Sequence, residues 1–160
     1  MHRSVRLPGP WVLAGLLFLA LGCAPRGYVV EPSSWVETAD WSRAERVRVE
    51  VTEHGFAPQV LTLREGKAYL LEIANAGSEP HAFAAPDFFR AVALREVRVV
   101  GAASLDASRF SVVRVEPGQT VVTSLVAVRP DDYPVVCTVS GHRERGMSGA
   151  LRILPKAKAP

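Results

Sequence analysis

The chain has 160 residues but only two cysteines, two methionines and four histidines. So little sulfur excludes a scaffold stapled by several disulfides, and the few histidines form no His-rich tract of the metal-sequestering kind. Charge of one sign is also missing, with 19 Lys and Arg against 16 Asp and Glu. No basic run is long enough to track phosphates, so a nucleic-acid partner is not expected. Long apolar runs are absent as well. The longest, Trp11–Gly22, falls short of the roughly 20 residues needed to span a bilayer.

That run has the form of an export signal, with His2, Arg3 and Arg6 before the apolar stretch and Cys23 directly after it. The segment LALGC resembles a bacterial lipobox, which implies cleavage after residue 22 and a diacylglycerol on Cys23. Ala20 stands where that motif most often has leucine, and the alternative is an ordinary secretory signal. Ala24 is not the aspartate associated with inner-membrane retention. The expected location is extracytoplasmic, anchored by lipid on the periplasmic side or at the cell surface. Removing Arg3 and Arg6 with the signal lowers the formal charge from +3 to about +1. With Cys23 lipidated, Cys137 is the one thiol left, and no intrachain disulfide can form.

The remaining length suits one domain with a real core. Residues 23–44 lack sustained periodicity and read as a tether. Trp35 and Trp41 are out of place in a solvated tether and either pack it back onto the domain or mark a contact surface. Residues 45–155 read as the folded domain and 156–160 as a tail. In the domain, RVRVEVTE, QVLTL, KAYLLEIAN, FSVVRVE, TVVTSLVAV, YPVVCTV and GALRIL are short β-type runs separated by turns such as REGK and PGQ. They predict an all-β sandwich or barrel. Residues 86–109 read as an insertion in one connection, its first half suited to a short helix and its second to a strand.

The segment CTVSGHRERGM, Cys137 to Met147, places a thiol, an imidazole and a thioether on one loop between the last two strands, with Gly141 and Gly146 permitting a tight return. Thiolate and thioether are soft ligands and imidazole suits copper, so the combination points to copper. A blue copper site takes two imidazoles and a thiolate in a plane with a long axial methionine. The loop supplies one imidazole. His81, in PHAF after the strand KAYLLEIAN, is placed to reach the same end of the sandwich, whereas His54 reads as a surface residue.

These segments, from HGFAPQVLTL through NAGSEPHAF to YPVVCTVSGHRERGMSGALRI, resemble the cupredoxin family of plastocyanin-like and pseudoazurin-like copper proteins. Tyr133, Cys137, His142 and Met147 match the family's copper loop one by one, and Asn75, Gly77, His81 and Phe83 match its upstream signature. The resemblance implies a Greek-key β-sandwich of about seven to eight strands binding one mononuclear type 1 copper through His81, Cys137, His142 and Met147. It also implies that His142 is the ligand nearest solvent and the port for electrons, with Val136, Val139, Phe83 and Pro86 as walls of the pocket. Two departures stand out: Ser140 replaces the usual loop proline, and Pro134 lies inside the cysteine strand.

The expected function is single-electron shuttling between extracytoplasmic redox proteins, such as a cytochrome or a terminal oxidase, without enzymatic activity of its own. Arg143 and Arg145 flank the port and suit an acidic patch on a partner. The alternative is a copper carrier or buffer delivering metal to another enzyme, which requires an accessible site and normally brings clustered methionines.

Overall fold

A computed structural model describes residues 27–101, 104–105 and 110–157. The signal segment 1–22, the lipidation candidate Cys23, residues 24–26, parts of the 86–109 segment and the last three residues lie outside the described residues.

Alternation decides which face of each strand turns inward. In β1 (Glu45–Thr52) Val49 and Val51 are buried, in β3 (Val60–Arg64) Leu61 and Leu63, and in β11 (Ser148–Leu154) Leu151 and Ile153. β4 (Ala68–Asn75), β8 (Val112–Val115) and β10 (Asp131–Val136) add Leu71, Ile73, Val113, Val115, Tyr133 and Val135 to the same core. β9 (Thr120–Ala127) has no solvent face, being buried from Val121 to Ala127. A strand covered on both sides reads as a near-continuous apolar run, and TVVTSLVAV is one interrupted by the buried Thr123 and Ser124.

Two sheets enclose this core. One has the order β2-β1-β4-β9-β6-β7 and the other β3-β11-β10-β5-β8, where β2 is Gly55–Ala57, β5 His81–Ala84, β6 Val92–Val99 and β7 Ser104–Leu105. β1 runs parallel to β4 and β3 parallel to β11, while the other pairs are antiparallel. The eleven strands among the described residues exceed the expected seven or eight through β2, β5 and β7. β2 and β7, of three and two residues, are too short to alternate, and β5 is buried at all four positions.

The segment read as an insertion proves integral to the sandwich. Its first half holds both α2 (Pro86–Ala91) and nearly all of β6, which pairs with β9 along its length with an irregularity between Leu94 and Glu96, and of the second half the described residues include only the end of β6 and the two-residue β7 as strand. Phe88 and Phe89 enter the core edge-to-face, and Phe88 meets the Tyr133 ring at 6.0 Å.

Within 27–44 the chain is docked on the domain, as packing by Trp35 and Trp41 requires. α1 (Pro32–Thr38) and a 3-10 turn at Trp41–Arg43 lay Trp35, Val36 and Trp41 over Ala68, Ala93 and Val126, on the outer face of the β4-β9-β6 sheet. This layer adds to the burial of β9. Arg95 stacks over the Trp41 ring at 4.6 Å, and Arg129 donates to the Gly27 and Tyr28 carbonyls.

Phe88→Ala should cost about 3–5 kcal/mol, as for a buried aromatic replaced by alanine, in urea unfolding followed by tryptophan fluorescence. A loss below about 1 kcal/mol would show that α2 is peripheral to the core.

Candidate metal centre

His81 opens β5, Cys137 follows β10, and β5 meets β10 at the pair Ala84–Val136. This single contact brings an upstream histidine beside the cysteine strand. Because the ladder on that side of β10 is confined to one pair, the missing N–H of Pro134 leaves no gap there, and Pro134 itself is exposed opposite Ala150.

The loop after Cys137 is pinned by its own backbone. His142 N–H donates to the Val139 carbonyl, Gly146 N–H to Arg143, Met147 N–H to His142, and Cys137 N–H to Met147, at 3.0–3.1 Å. Gly141 and Gly146 have φ of 78° and 92°, in the left-handed region that side chains disfavour. The exposed Ser140 therefore does not leave the loop without internal bonds.

His81, Cys137 and His142 converge. The two Nδ1 atoms lie 3.2 Å apart, and the Cys137 Sγ lies 3.6 Å from His142 Nδ1 and 4.0 Å from His81 Nδ1. All three side chains are buried, at 0, 1 and 4% exposure for His81, Cys137 and His142, and Met147 is 1% exposed. Cys137, Met147, Phe83 and the half-buried Val139 belong to the main core cluster, so the site is continuous with the sandwich interior. Of the expected pocket walls, Val136 is half-buried and Pro86 is exposed at the start of α2. Ala82 N–H reaches the Cys137 sulfur at 3.4 Å. His54 is exposed, as a surface residue should be.

The family model of the cupredoxin-like domain matches residues 28–147. The chain belongs to this family. Three solved structures share the fold of this cupredoxin. Dithionite-reduced auracyanin from Roseiflexus castenholzii has 15% identity and a TM-score of 0.50, over 70% of this chain and 98% of that one. The multi-copper oxidase of Pseudomonas thermotolerans has 18% identity and a TM-score of 0.57, over 72% of this chain and 31% of the oxidase. That of Pediococcus acidilactici has 11% identity and a TM-score of 0.56, over 77% of this chain and 29% of the oxidase. The cupredoxin thus spans nearly all of the auracyanin but about a third of either oxidase. No curated protein sequence matches it.

The His/Cys/His/Met cluster fits one mononuclear type 1 copper site. A metal with bonds of about 2.0–2.3 Å to imidazole and thiolate, the reach known for zinc, needs ligand atoms about 3.5–3.8 Å apart in a trigonal plane. The observed separations of 3.2, 3.6 and 4.0 Å bracket that range. Nitrogen and thiolate donors, with a buried Met147 joined through its backbone to Cys137 and His142, make up the donor set of a blue site.

Sequence reasoning passed over the carboxylates behind the histidines. Glu53 lies 3.9 Å from His81 Nε2, and Glu79 lies 3.2 Å from His142 Nε2. Glu53 accepts from Ser78 N–H, Ser78 Oγ and Glu79 N–H, which ties the turn after β1 to the turn before His81. Its own backbone N–H, then those of Ser78 and Glu79, hold its carboxyl down at about 2. Asn75 orders the same turn, accepting from Gly77 N–H and donating to the Glu79 and Val115 carbonyls. A Cβ at Gly77 would come within 2.4 Å of Glu53 Oε1, so a larger residue there would push this carboxylate aside. The Asn-x-Gly signature was readable in the sequence, but its carboxylate partner was not, because Glu53 arrives from the distant turn between β1 and β2. Burial, then the adjacent His142, holds His81 below the usual imidazole range, opposed by Glu53 and Glu79.

The depressed carboxyl of Glu53 links stability to pH. A group with a lowered folded pKa stabilises above its unfolded value, and that contribution is lost as pH falls through the folded value. Glu53→Gln should therefore narrow the stability difference between pH 7 and pH 2, with most of the change between about 4.5 and about 2, as read by urea midpoints. Equal pH profiles for the two proteins would show that Glu53 does not couple to folding.

Proposed function

We propose that this cupredoxin is a type 1 copper electron carrier working outside the cytoplasm, with His81, Cys137, His142 and Met147 as its ligands. The observation that carries this reading is the convergence of two Nδ1 atoms and one Sγ within 4.8 Å of one another at a buried site. Copper, when bound, supplies a one-electron Cu(I)/Cu(II) couple. The chain's part is to hold the donors in place without it. His81 is fixed by the β5 ladder, while Cys137, His142 and Met147 are fixed by a loop whose backbone bonds close on themselves. Donors fixed by the fold need little rearrangement when charge changes. The Ala82 N–H on the sulfur and the apolar surroundings of Met147 are the protein's levers on potential.

The copper-carrier alternative requires exposed, exchangeable ligands, and the four residues are buried. The part of a carrier rather than an enzyme is favoured by a single His/Cys cluster among the described residues. Candidate partners are redox proteins, a cytochrome or terminal oxidase among them, docking on the exposed Arg143 and Arg145.

The lipid anchor on Cys23 belongs to the same proposal. No helix among the described residues is long and apolar enough to cross a membrane. Arg129, which holds Gly27 and Tyr28, precedes β10, and Cys137 follows the far end of that strand. An anchor just upstream of Gly27 would hold the end of the sandwich remote from the ligand loop, leaving the loop turned to partners.

Titrating the full chain with Cu(II) should yield an intense visible thiolate-to-copper band and narrow copper hyperfine splitting at one metal per chain. Cys137→Ser, His81→Ala and His142→Ala should each abolish it. Met147→Leu should keep the colour and raise the potential by a tenfold or greater shift in the Cu(II)/Cu(I) balance, at about 59 mV per tenfold for one electron. A wild-type chain without the band, its Cys137 still titratable as a thiol, would sink the proposal.

Cys23→Ser should move the protein from the membrane to the soluble fraction with its copper spectrum unchanged. Retention of the variant on membranes would refute the lipid anchor.

A further inference from the structure

The residue assigned as electron port does not present a bare ring edge. His142 Nε2, on the side of the ring away from the cluster, faces Glu79 Oε2 at 3.2 Å, and the same oxygen lies 4.0 Å from a guanidinium nitrogen of Arg145. His81 is treated differently. Its Nε2 is buried without a hydrogen-bond partner, and Glu53, 3.9 Å away, is occupied by Ser78 and Glu79. One imidazole therefore has a carboxylate within hydrogen-bonding reach and the other does not.

The chemistry follows from the ring. With Nδ1 directed at the cluster, a neutral His142 carries its proton on Nε2, and the group on that side sets tautomer and orientation. A carboxylate 3.2 Å from that nitrogen adds negative charge near the metal and, once turned to accept the Nε2 proton, would make the imidazole a stronger donor. Both effects favour Cu(II) over Cu(I). Arg145, 4.0 Å away and exposed, counters a small part of that charge.

We propose that Glu79 is a positioning residue for His142 that lowers the reduction potential of the site. The proposal rests on the copper reading above. Because the Glu79 side chain is 54% exposed, solvent screens its charge and the effect is modest.

The test is a redox titration of the copper-loaded full chain with Glu79→Gln, which removes the charge but keeps an acceptor, and Glu79→Ala, which removes both. Glu144→Gln, an exposed carboxylate on the same loop, is the control for general surface charge. Glu79→Gln should shift the Cu(II)/Cu(I) balance towards Cu(I) by three- to tenfold, tenfold being about 59 mV, and Glu144→Gln by clearly less. Nitrogen-15 NMR of the Cu(I) protein should show His142 as the Nε2–H tautomer in wild type, with an altered Nε2 shift in Glu79→Ala. An intact blue band with a potential unmoved in Glu79→Gln, or moved no further than in Glu144→Gln, overturns this inference and leaves the carrier reading standing. A wild-type chain with no blue band overturns both.

Discussion

Two imidazoles and a thiol are packed against one another, 3.2–4.0 Å apart, inside an apolar core. Polar groups out of water are unfavourable unless they are paired, so the surrounding structure has to over-determine their positions. It does so with backbone bonds, which side-chain motion cannot undo. His81 sits in a four-residue ladder with β8, and the Cys137–Met147 loop closes on itself through four N–H donors. Side-chain selection then needs little more than glycine at the two turns where φ is positive.

The turn before His81 shows how the constraint spreads outward. Asn75 binds the loop from inside, Glu53 binds it from the turn after β1, and Gly77 leaves room for the Glu53 carboxylate. These contacts join both sheets to the approach to the first histidine. The carboxylates then divide their labour. Glu53 is spent on the turn, and Glu79 is left to face the outer nitrogen of His142.

The sandwich has two unlike ends and two unlike outer faces. The ligand loop occupies the end after β10, and the N-terminal segment is clasped by Arg129 before β10. Trp35 of α1 and Trp41 of the 3-10 turn pack over Ala68, Ala93 and Val126 on the β4-β9-β6 face, adding to the burial of β9. The matched family segment begins at residue 28 and so includes this cover. The same sandwich occurs almost alone in auracyanin and as about a third of the multi-copper oxidases, so the fold is shared by a small protein and by much larger ones.

The sequence by itself determined the long strands, because their alternation is a local property of one face meeting a core. It also determined the donor set, since a thiol, an imidazole and a thioether at five-residue intervals on a glycine loop leave few other uses for three scarce residue types. It did not disclose β2 and β7, which are too short to alternate, or β5, whose four residues are all buried, or that 86–99 is core rather than insertion, because Phe88 and β6 owe their burial to β9 and Tyr133. The joining of His81 to the loop rests on one β5–β10 contact, and the carboxylates of Glu53 and Glu79 reach the histidines across sequence separations of 28 and 63 residues. Only tertiary structure decides such contacts, because nothing in a local pattern records which strands become neighbours.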